Sequence, residues 1–227
     1  MPTLVIANKL YSSWSLRPWL LLRQLEIAFD EVVIPLHQPQ TKAEILKYSP
    51  AGKVPILIDG DATVWESIAI MEHVADTVED ALVWPRDPGP RALARSISAE
   101  MHAGFQALRS ACPMNLGRRY AARDRGAAVA QDVARVTAIW RDARDRFGAG
   151  GPFLFGDFSA ADAMYAPVAT RFDTYSIPVD PASRAYMDAI LGLPAFREWR
   201  AAALREPWTI SHDEVDEEPT EVFRTAK

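Results

Sequence analysis

The sequence predicts an α/β unit followed by an all-α helical bundle. Over about the first eighty residues, short apolar runs alternate with helix-compatible segments, a pattern typical of a sheet with a parallel core. A stiff, proline-rich linker follows, and beyond it apolar residues recur every three or four positions. We therefore assign residues 1–82 to the α/β domain, 83–90 to the linker, 91–210 to the helical domain and 211–227 to an acidic tail.

The α/β unit is predicted to follow the order β-α-β-α-β-β-α. Asp59-Gly60 is a strong hairpin signal, so the chain should return antiparallel beside the strand that precedes it and make the sheet mixed. Because Pro18 is acceptable only in the first turn of a helix, the first helix should start there. The predicted elements are strands at 4–7 and 29–34, a helix at 18–25, a short helix or irregular piece at 41–48, a hairpin of 56–58 with 63–65, and a helix from Ser67.

The helical unit is predicted to be centred on a capped helix. Ser159 can cap this helix while Asp162, three residues on, reaches back toward the cap, so we expect Asp162 to be a folding residue and not a catalytic one. The tail from Ser211 carries six acidic residues and should be mobile or lie on the surface. The other predicted helices are 90–110, which Pro113 ends or kinks, 127–147, 181–191 and 194–204.

Composition narrows the function classes. The net charge of −5 argues against non-specific nucleic-acid binding. No apolar run approaches the ~20 residues that span a bilayer, and the N-terminus lacks the layout of a signal peptide. Cys112 is the only cysteine, which fits a reducing, cytoplasmic setting. The four histidines have no spacing suited to a metal site, and no dinucleotide, phosphate-loop or serine-hydrolase motif occurs, so we expect neither a metal nor a nucleotide.

One short segment combines a backbone clamp with an anion site. Pro55 opens the third strand and pushes Val54 into an extended conformation. If the bond between them is cis, Val54 turns its own N–H and C=O outward, where they can pair with an extended peptide. Glu66 and Ser67 then start a helix whose free N–H groups, together with the serine hydroxyl, suit a carboxylate. An ordinary hairpin followed by a capped helix is the alternative interpretation.

The order of these motifs resembles the glutathione-binding half of the cytosolic glutathione transferases, and the resemblance extends from about Leu4 to Trp208. It implies a thioredoxin-like N-terminal domain, glutathione as co-substrate and a two-fold homodimer. It also implies contacts to each part of glutathione: Val54 and Pro55 at the cysteinyl backbone, Glu66 at the ammonium, Ser67 at the γ-glutamyl carboxylate and Lys53 at the glycyl carboxylate.

The loop before the first helix supplies the candidate catalytic hydroxyls. The run Ser12-Ser13-Trp14-Ser15-Leu16-Arg17 resembles the Ser-Ser-Cys-Ser-Trp-Arg motif of zeta-class transferases. Ser12 matches the serine that contacts the glutathione sulfur, and Arg17 matches the arginine in the helix. Ser13 stays open as the catalytic group, because theta-like members place their serine four residues before the arginine. Trp14 replaces the family cysteine, which points to a changed substrate and disfavours thiol–disulfide chemistry.

The role of such a hydroxyl would be to lower the pKa of the glutathione thiol. A thiol has a pKa near 8.5 when unperturbed, and lowering it by ~2 units requires about 2.7 kcal/mol. A hydrogen bond from a hydroxyl to the sulfur and the positive end of a helix can together supply this free energy. The alternative is that Ser12, Ser13 and Ser15 are simply loop and helix-cap residues.

The second substrate is expected between the two domains. Trp14, Met101, Phe105 and Met114 are candidates for lining that pocket, although each also fits a plain core position. Arg171 lies in the region where zeta enzymes keep an arginine for an acidic substrate. Three functions remain open: a transferase that adds glutathione to a small electrophile, a glutathione-dependent cis–trans isomerase like maleylacetoacetate isomerase, and a non-catalytic glutathione-binding protein.

Overall fold

The computed structural model describes residues 1–224 and confirms a thioredoxin-like unit followed by a helical unit. The first unit consists of β1 (Thr3–Ile6), α1 (Ser13–Gln24), β2 (Asp30–Val33), α2 (Thr41–Leu46), β3 (Ile56–Asp59), β4 (Ala62–Trp65) and α3 (Ser67–Thr77). Its sheet has the order β2-β1-β3-β4, in which β1 is parallel to β2 and antiparallel to β3. The predicted hairpin is present, with Ile58 opposite Thr63 and Gly60 in the turn at a φ of +57°.

The second unit surrounds a central buried helix. It consists of α4 (Pro88–Ala103), α5 (Gln106–Ala111), α6 (Ala127–Phe147), α7 (Ala160–Thr174), α8 (Pro181–Gly192) and α9 (Pro194–Ala203). Helix α7 packs against α1, α4 and α8, and nearly all of its residues are buried. The unit also contains a two-stranded sheet that the sequence analysis did not predict, formed by β5 (Arg118–Tyr120) and β6 (Pro219–Val222).

The predicted capping box at the start of α7 is confirmed. The Asp162 carboxylate accepts from the Ser159 amide at 2.9 Å and from the Leu154 amide at 3.0 Å. Burial raises the pKa of Asp162 to about 6, although these hydrogen bonds favour its ionised form. The carboxylate thus joins the loop before α7 to the helix itself, as expected of a folding residue.

Helix α1 begins at Ser13 and not at the predicted Pro18, which lies inside the helix. The Ser12 hydroxyl caps the earlier start by accepting from the Ser15 amide. An interior proline removes a backbone hydrogen bond, but the residues from Leu16 to Leu22 are all buried. Tertiary packing therefore outweighs the local cost of the proline.

The predicted helix 90–110 is also corrected. It begins at Pro88 and ends at Ala103, well before Pro113, and Gly104 and Phe105 separate it from α5. A Cβ on Gly104 would lie 2.8 Å from the carbonyl oxygen of Glu100, so the close approach of the chain here requires glycine. Phe105 adopts a positive φ of 62°, which turns the chain into α5.

The acidic tail lies on the surface, as one of the two predicted alternatives, and several of its acidic side chains have partners in the rest of the protein. Glu217 accepts from both terminal nitrogens of Arg125, at 2.9 and 3.0 Å. The Tyr11 hydroxyl donates to Glu214 at 2.5 Å. These contacts and the β5–β6 pairing join the described part of the tail to the body of the protein. Residues 225–227 of the predicted tail lie outside the described residues.

Replacing Asp162 by alanine should destabilise the protein by about 2–4 kcal/mol, because a cap is lost and two buried amides lose their acceptor. Chemical unfolding at pH 8, where the carboxylate is ionised, measures this change. Asp157→Ala is the matched control, since Asp157 is an exposed acid of the same loop. Equal stabilities for the two variants would contradict the assigned role.

Candidate active site

A cleft of about 790 Å³ lies beside the start of α1 and the start of α3. Both units line it, because α4 contributes His102 and Ala103. The predicted site residues on its wall are Ser12, Trp14, Lys53, Val54, Pro55 and Glu66. The structure therefore gathers most of the predicted glutathione contacts around one cavity.

Ser12 precedes α1, and its side chain makes two hydrogen bonds to Ser15. Its oxygen accepts from the Ser15 amide at 3.3 Å, while its hydroxyl donates to the Ser15 hydroxyl oxygen at 2.8 Å. Capping occupies an acceptor position of the Ser12 oxygen, whereas the proton can turn toward a group in the cleft. Ser12 thus joins a hydroxyl donor to the positive end of a helix, and both features favour a thiolate.

Ser13 points away from the cleft, into the interface between the two units. Its oxygen accepts from Nη2 of Arg171 at 3.2 Å, and the residue is buried without lining the cavity. The two predicted hydroxyls are therefore separated, one on the cleft wall and one in the interface.

The Val54–Pro55 peptide bond is cis, as the conditional prediction required. Val54 lies on the cleft wall, and its N–H and C=O have no hydrogen-bond partner within residues 1–224. An unpaired donor and acceptor on one residue are the groups that an extended peptide uses in strand addition.

Glu66 and Ser67 form the start of α3. Glu66 adopts a φ of 71°, a conformation that costs a non-glycine residue about 1–3 kcal/mol and is characteristic of ligand sites. Its carboxylate lies 3.5 Å from Nε2 of His102 on α4. Burial and the charge of Arg17 lower the pKa of His102, and Glu66 opposes them. Ser67, the next residue, is fully buried and is not among the residues that line the cleft, so the structure does not place this predicted site residue on the cleft wall.

Trp14 lines the cleft and also contacts two arginines, of which Arg17 is buried and Arg109 is partly buried. The guanidinium carbon of Arg17 lies 4.2 Å from its ring centroid, and that of Arg109 lies 4.7 Å away. Arg109 also donates to the carbonyls of Gly104 and Met101, and so caps the end of α4 next to the cleft. Trp14 therefore contacts both the cavity and these cations.

Four predicted pocket residues do not line the cleft. Phe105 and Met114 are core residues, and Arg171 is only 4% exposed. The Arg171 guanidinium donates to the carbonyls of Cys112 and Pro167 and to Ser13, so it joins the units and does not face a substrate. Burial lowers its pKa to about 10. Met101 is likewise fully buried in the core.

The sequence analysis missed several residues of the cleft wall, among them His37, Lys42, Trp65 and His102. Trp65 is 41% exposed, which is unusual for so large an apolar side chain and suits a ligand surface. Alternation along β4 was the available signal, since it places Trp65 and Thr63 on one face. For the two histidines, no pattern in the sequence indicated the cleft.

The loop that carries Ser12 is held by the C-terminal part of the chain. Glu206 accepts from the amides of Lys9 and Leu10, at 2.7 and 3.1 Å. The Trp199 indole donates to the carbonyl of Lys9 at 2.9 Å. These contacts fix the backbone just before the candidate hydroxyl.

Comparison with known proteins agrees with this geometry. The profile of the glutathione S-transferase N-terminal domain matches residues 11–77, and that of the C-terminal domain matches residues 126–202. Together the matches cover more than half of the chain, which belongs to the glutathione S-transferase family and is therefore expected to be a glutathione-dependent enzyme.

Individual relatives span different parts of the chain. A probable maleylacetoacetate isomerase of Caenorhabditis elegans is 27% identical over 188 residues, which cover 81% of this chain and 86% of the relative. A dichloromethane dehalogenase of Methylorubrum extorquens is 38% identical over 63 residues, 27% of this chain and 22% of the relative. A Burkholderia glutathione transferase homologue, solved with bound glutathione, has a TM-score of 0.66 at 22% identity and covers 89% of this chain and 97% of its own. At that identity the structural likeness supports the fold.

Neither a membrane-spanning helix nor a metal-binding cluster is present in residues 1–224. None of the helices there is both long and apolar enough to cross a membrane. No three His, Cys, Asp or Glu side chains in that part of the chain are arranged to hold a metal ion.

Arg171→Met should lower stability by about 1–3 kcal/mol, because two buried carbonyls and Ser13 lose their donor. Its glutathione affinity should equal that of the wild type, because Arg171 does not line the cleft. Unfolding and calorimetric titration measure the two quantities, with Arg197→Met, an exposed arginine of α9, as the control. A selective loss of glutathione affinity would contradict the placement of Arg171 outside the cleft.

Proposed function

We propose that the protein is a glutathione transferase in which the Ser12 hydroxyl stabilises the glutathione thiolate for attack on a small electrophile. The observation that carries the proposal is that Ser12, at the N-terminus of α1, shares one cleft with Val54 and Glu66. Family membership and the glutathione bound to a structural neighbour support glutathione as the co-substrate. The homodimer implied by the resemblance is part of the same proposal.

In this proposal glutathione lies along the first unit. Val54 pairs with the cysteinyl backbone through its free N–H and C=O, and Lys53 faces the glycyl carboxylate. Glu66 receives the ammonium of the γ-glutamyl group, while Ser67 and the start of α3 receive its carboxylate. This placement directs the sulfur toward Ser12.

The chemical step follows from that placement. The thiol loses its proton to solvent, and the Ser12 hydroxyl donates to the thiolate while the α1 N-terminus favours its negative charge. Sulfur then attacks the electrophilic carbon, a C–S bond forms, and the leaving group departs with its electron pair. Trp14, His102 and Ala103 lie on the α4 side of the cleft, where the electrophile would be held.

Ser12→Ala should raise the thiol pKa of bound glutathione by about one unit, because a hydrogen bond to a charged group is lost. The ultraviolet thiolate band of the complex, titrated with pH, measures that pKa. Ser13→Ala is the matched control and should leave the band unchanged. The melting temperature must also be compared, since Ser12 caps α1 and its loss costs about 1 kcal/mol of stability. A shifted band in Ser13→Ala with none in Ser12→Ala would reverse the assignment.

A glutathione-dependent cis–trans isomerase is the second candidate, and the worm relative that spans most of this chain favours it. The thiolate would add to a conjugated double bond, the resulting single bond would rotate, and the C–S bond would then break and release the same thiolate. No glutathione would be consumed. Assays that follow glutathione consumption and double-bond geometry with the same unsaturated acid separate the two reactions.

A non-catalytic glutathione-binding protein is the third alternative. In this alternative Val54, Glu66 and Ser67 contact glutathione in the same way, but the sulfur stays a neutral thiol. Binding of glutathione without a thiolate band below the pKa of the free thiol would favour it over both enzymes.

A further inference from the structure

One tight turn joins β1 to α1 and ends at Ser12. The Asn8 carbonyl closes it by accepting from the amides of Tyr11 and Ser12, at 3.3 and 2.8 Å. As in the first turn of a helix, this pattern leaves the amides of the two intervening residues, Lys9 and Leu10, without a partner inside the turn. Whatever binds those two amides therefore fixes the backbone that presents Ser12.

The backbone groups of Lys9 and Leu10 are all bonded to the helical unit. Glu206, just beyond the end of α9, accepts from both amides, at 2.7 and 3.1 Å. The Lys9 carbonyl accepts from the Trp199 indole at 2.9 Å. The Leu10 carbonyl accepts from the Leu116 amide at 3.2 Å. The turn belongs to the first unit, yet its middle is fixed by the second.

Glu206 is the one charged group among these partners. A hydrogen bond to an ionised acceptor is about twice as strong as one between neutral groups, and here one carboxylate bridges two successive amides. Burial raises the pKa of Glu206, while the two amides and the charge of Lys9 favour its ionised form. The carboxylate thus acts on the turn as a capping side chain acts on the start of a helix.

We infer that Glu206 is a positioning residue that holds the turn before α1 where the Ser12 hydroxyl can donate to the sulfur of bound glutathione. The inference rests on the proposed function and adds a residue of the helical unit to it. Glu206 does not line the cleft, so it acts through the backbone. Leu10, whose amide it binds, lies two residues before Ser12. Because a hydrogen bond depends on distance and direction, a shift of the turn would weaken the one to sulfur.

The test is Glu206→Gln, which keeps the size of the side chain but removes its charge and one of its two acceptor oxygens. We expect the thiol pKa of bound glutathione to rise by roughly 0.5 to 1 unit, because the hydroxyl is displaced from the sulfur. The ultraviolet thiolate band, titrated with pH, measures this pKa. The sign separates two causes, since removal of a negative charge, acting by Coulomb interaction alone, would lower the same pKa.

Three comparisons make the result specific. In the double variant Ser12→Ala/Glu206→Gln, the thiol pKa should equal that of Ser12→Ala, because Glu206 acts through that hydroxyl. Glu198→Gln, an exposed acid of α9 that pairs with Arg23, should match the wild type. S-methylglutathione has no ionisable sulfur, so calorimetry should give Glu206→Gln an affinity for it within about twofold of the wild type.

Each outcome decides the question. A thiol pKa that is unchanged or lowered in Glu206→Gln overturns the inference while the proposed function stands. A further rise in the double variant beyond Ser12→Ala also overturns it, because Glu206 would then act independently of Ser12. A wild-type complex without a thiolate band below the pKa of the free thiol overturns the proposed function itself.

A second variant covers poor folding of Glu206→Gln. Glu206→Asp keeps the charge but is one methylene shorter, so its carboxylate reaches both amides only if the turn moves. The thiol pKa of bound glutathione should rise in this variant as well, again measured by the thiolate band. An unchanged pKa in folded Glu206→Asp would contradict the positioning role.

Discussion

The burial of α1 against α7 is the constraint on which the site depends. Helix α1 is enclosed by the sheet on one side and by the helical unit on the other, so its polar residues must find partners in the protein or in a ligand. Ser13 finds Arg171, and Ser15 accepts from the Ala7 amide. Ser12 reaches the cleft, and Arg17 stays mostly unpaired. The same packing thus holds the units together and directs the remaining polar groups toward the ligand.

Much of the fold could be predicted because local and tertiary signals agree. Asp59-Gly60 requires a tight turn, and the spacing of Ser159 and Asp162 satisfies a cap whatever surrounds it. The errors arose where tertiary contacts decide. Pro18 is tolerated inside α1 because burial outweighs a missing hydrogen bond. Similarly, the β5–β6 pairing joins segments about a hundred residues apart, and no local pattern shows such a pairing.

The same distinction between local signals and tertiary contacts applies to the candidate site. The cis Val54–Pro55 bond and the start of α3 at Ser67 agree with the backbone geometry that the sequence indicated, because proline and a helix start have fixed local consequences. The side chains that the helical unit contributes could not be predicted from the sequence. The direction of His102, for example, depends on the break at Gly104 and on the cap that Arg109 provides. Sequence resemblance alone also left Ser12 and Ser13 equivalent, and only the interface with Arg171 distinguishes them.

Trp14 stands where the zeta-class motif that this loop resembles has a cysteine. Its indole lies against the guanidinium groups of Arg17 and Arg109 and covers them with a polarisable face. Charges behind an apolar layer are screened less than charges in water. The chain carries a net charge of −5, yet the cations behind Trp14 act on whatever enters the cleft beside it. At the position where the motif that this loop resembles has a thiol, this chain therefore has an indole with two cations stacked on it.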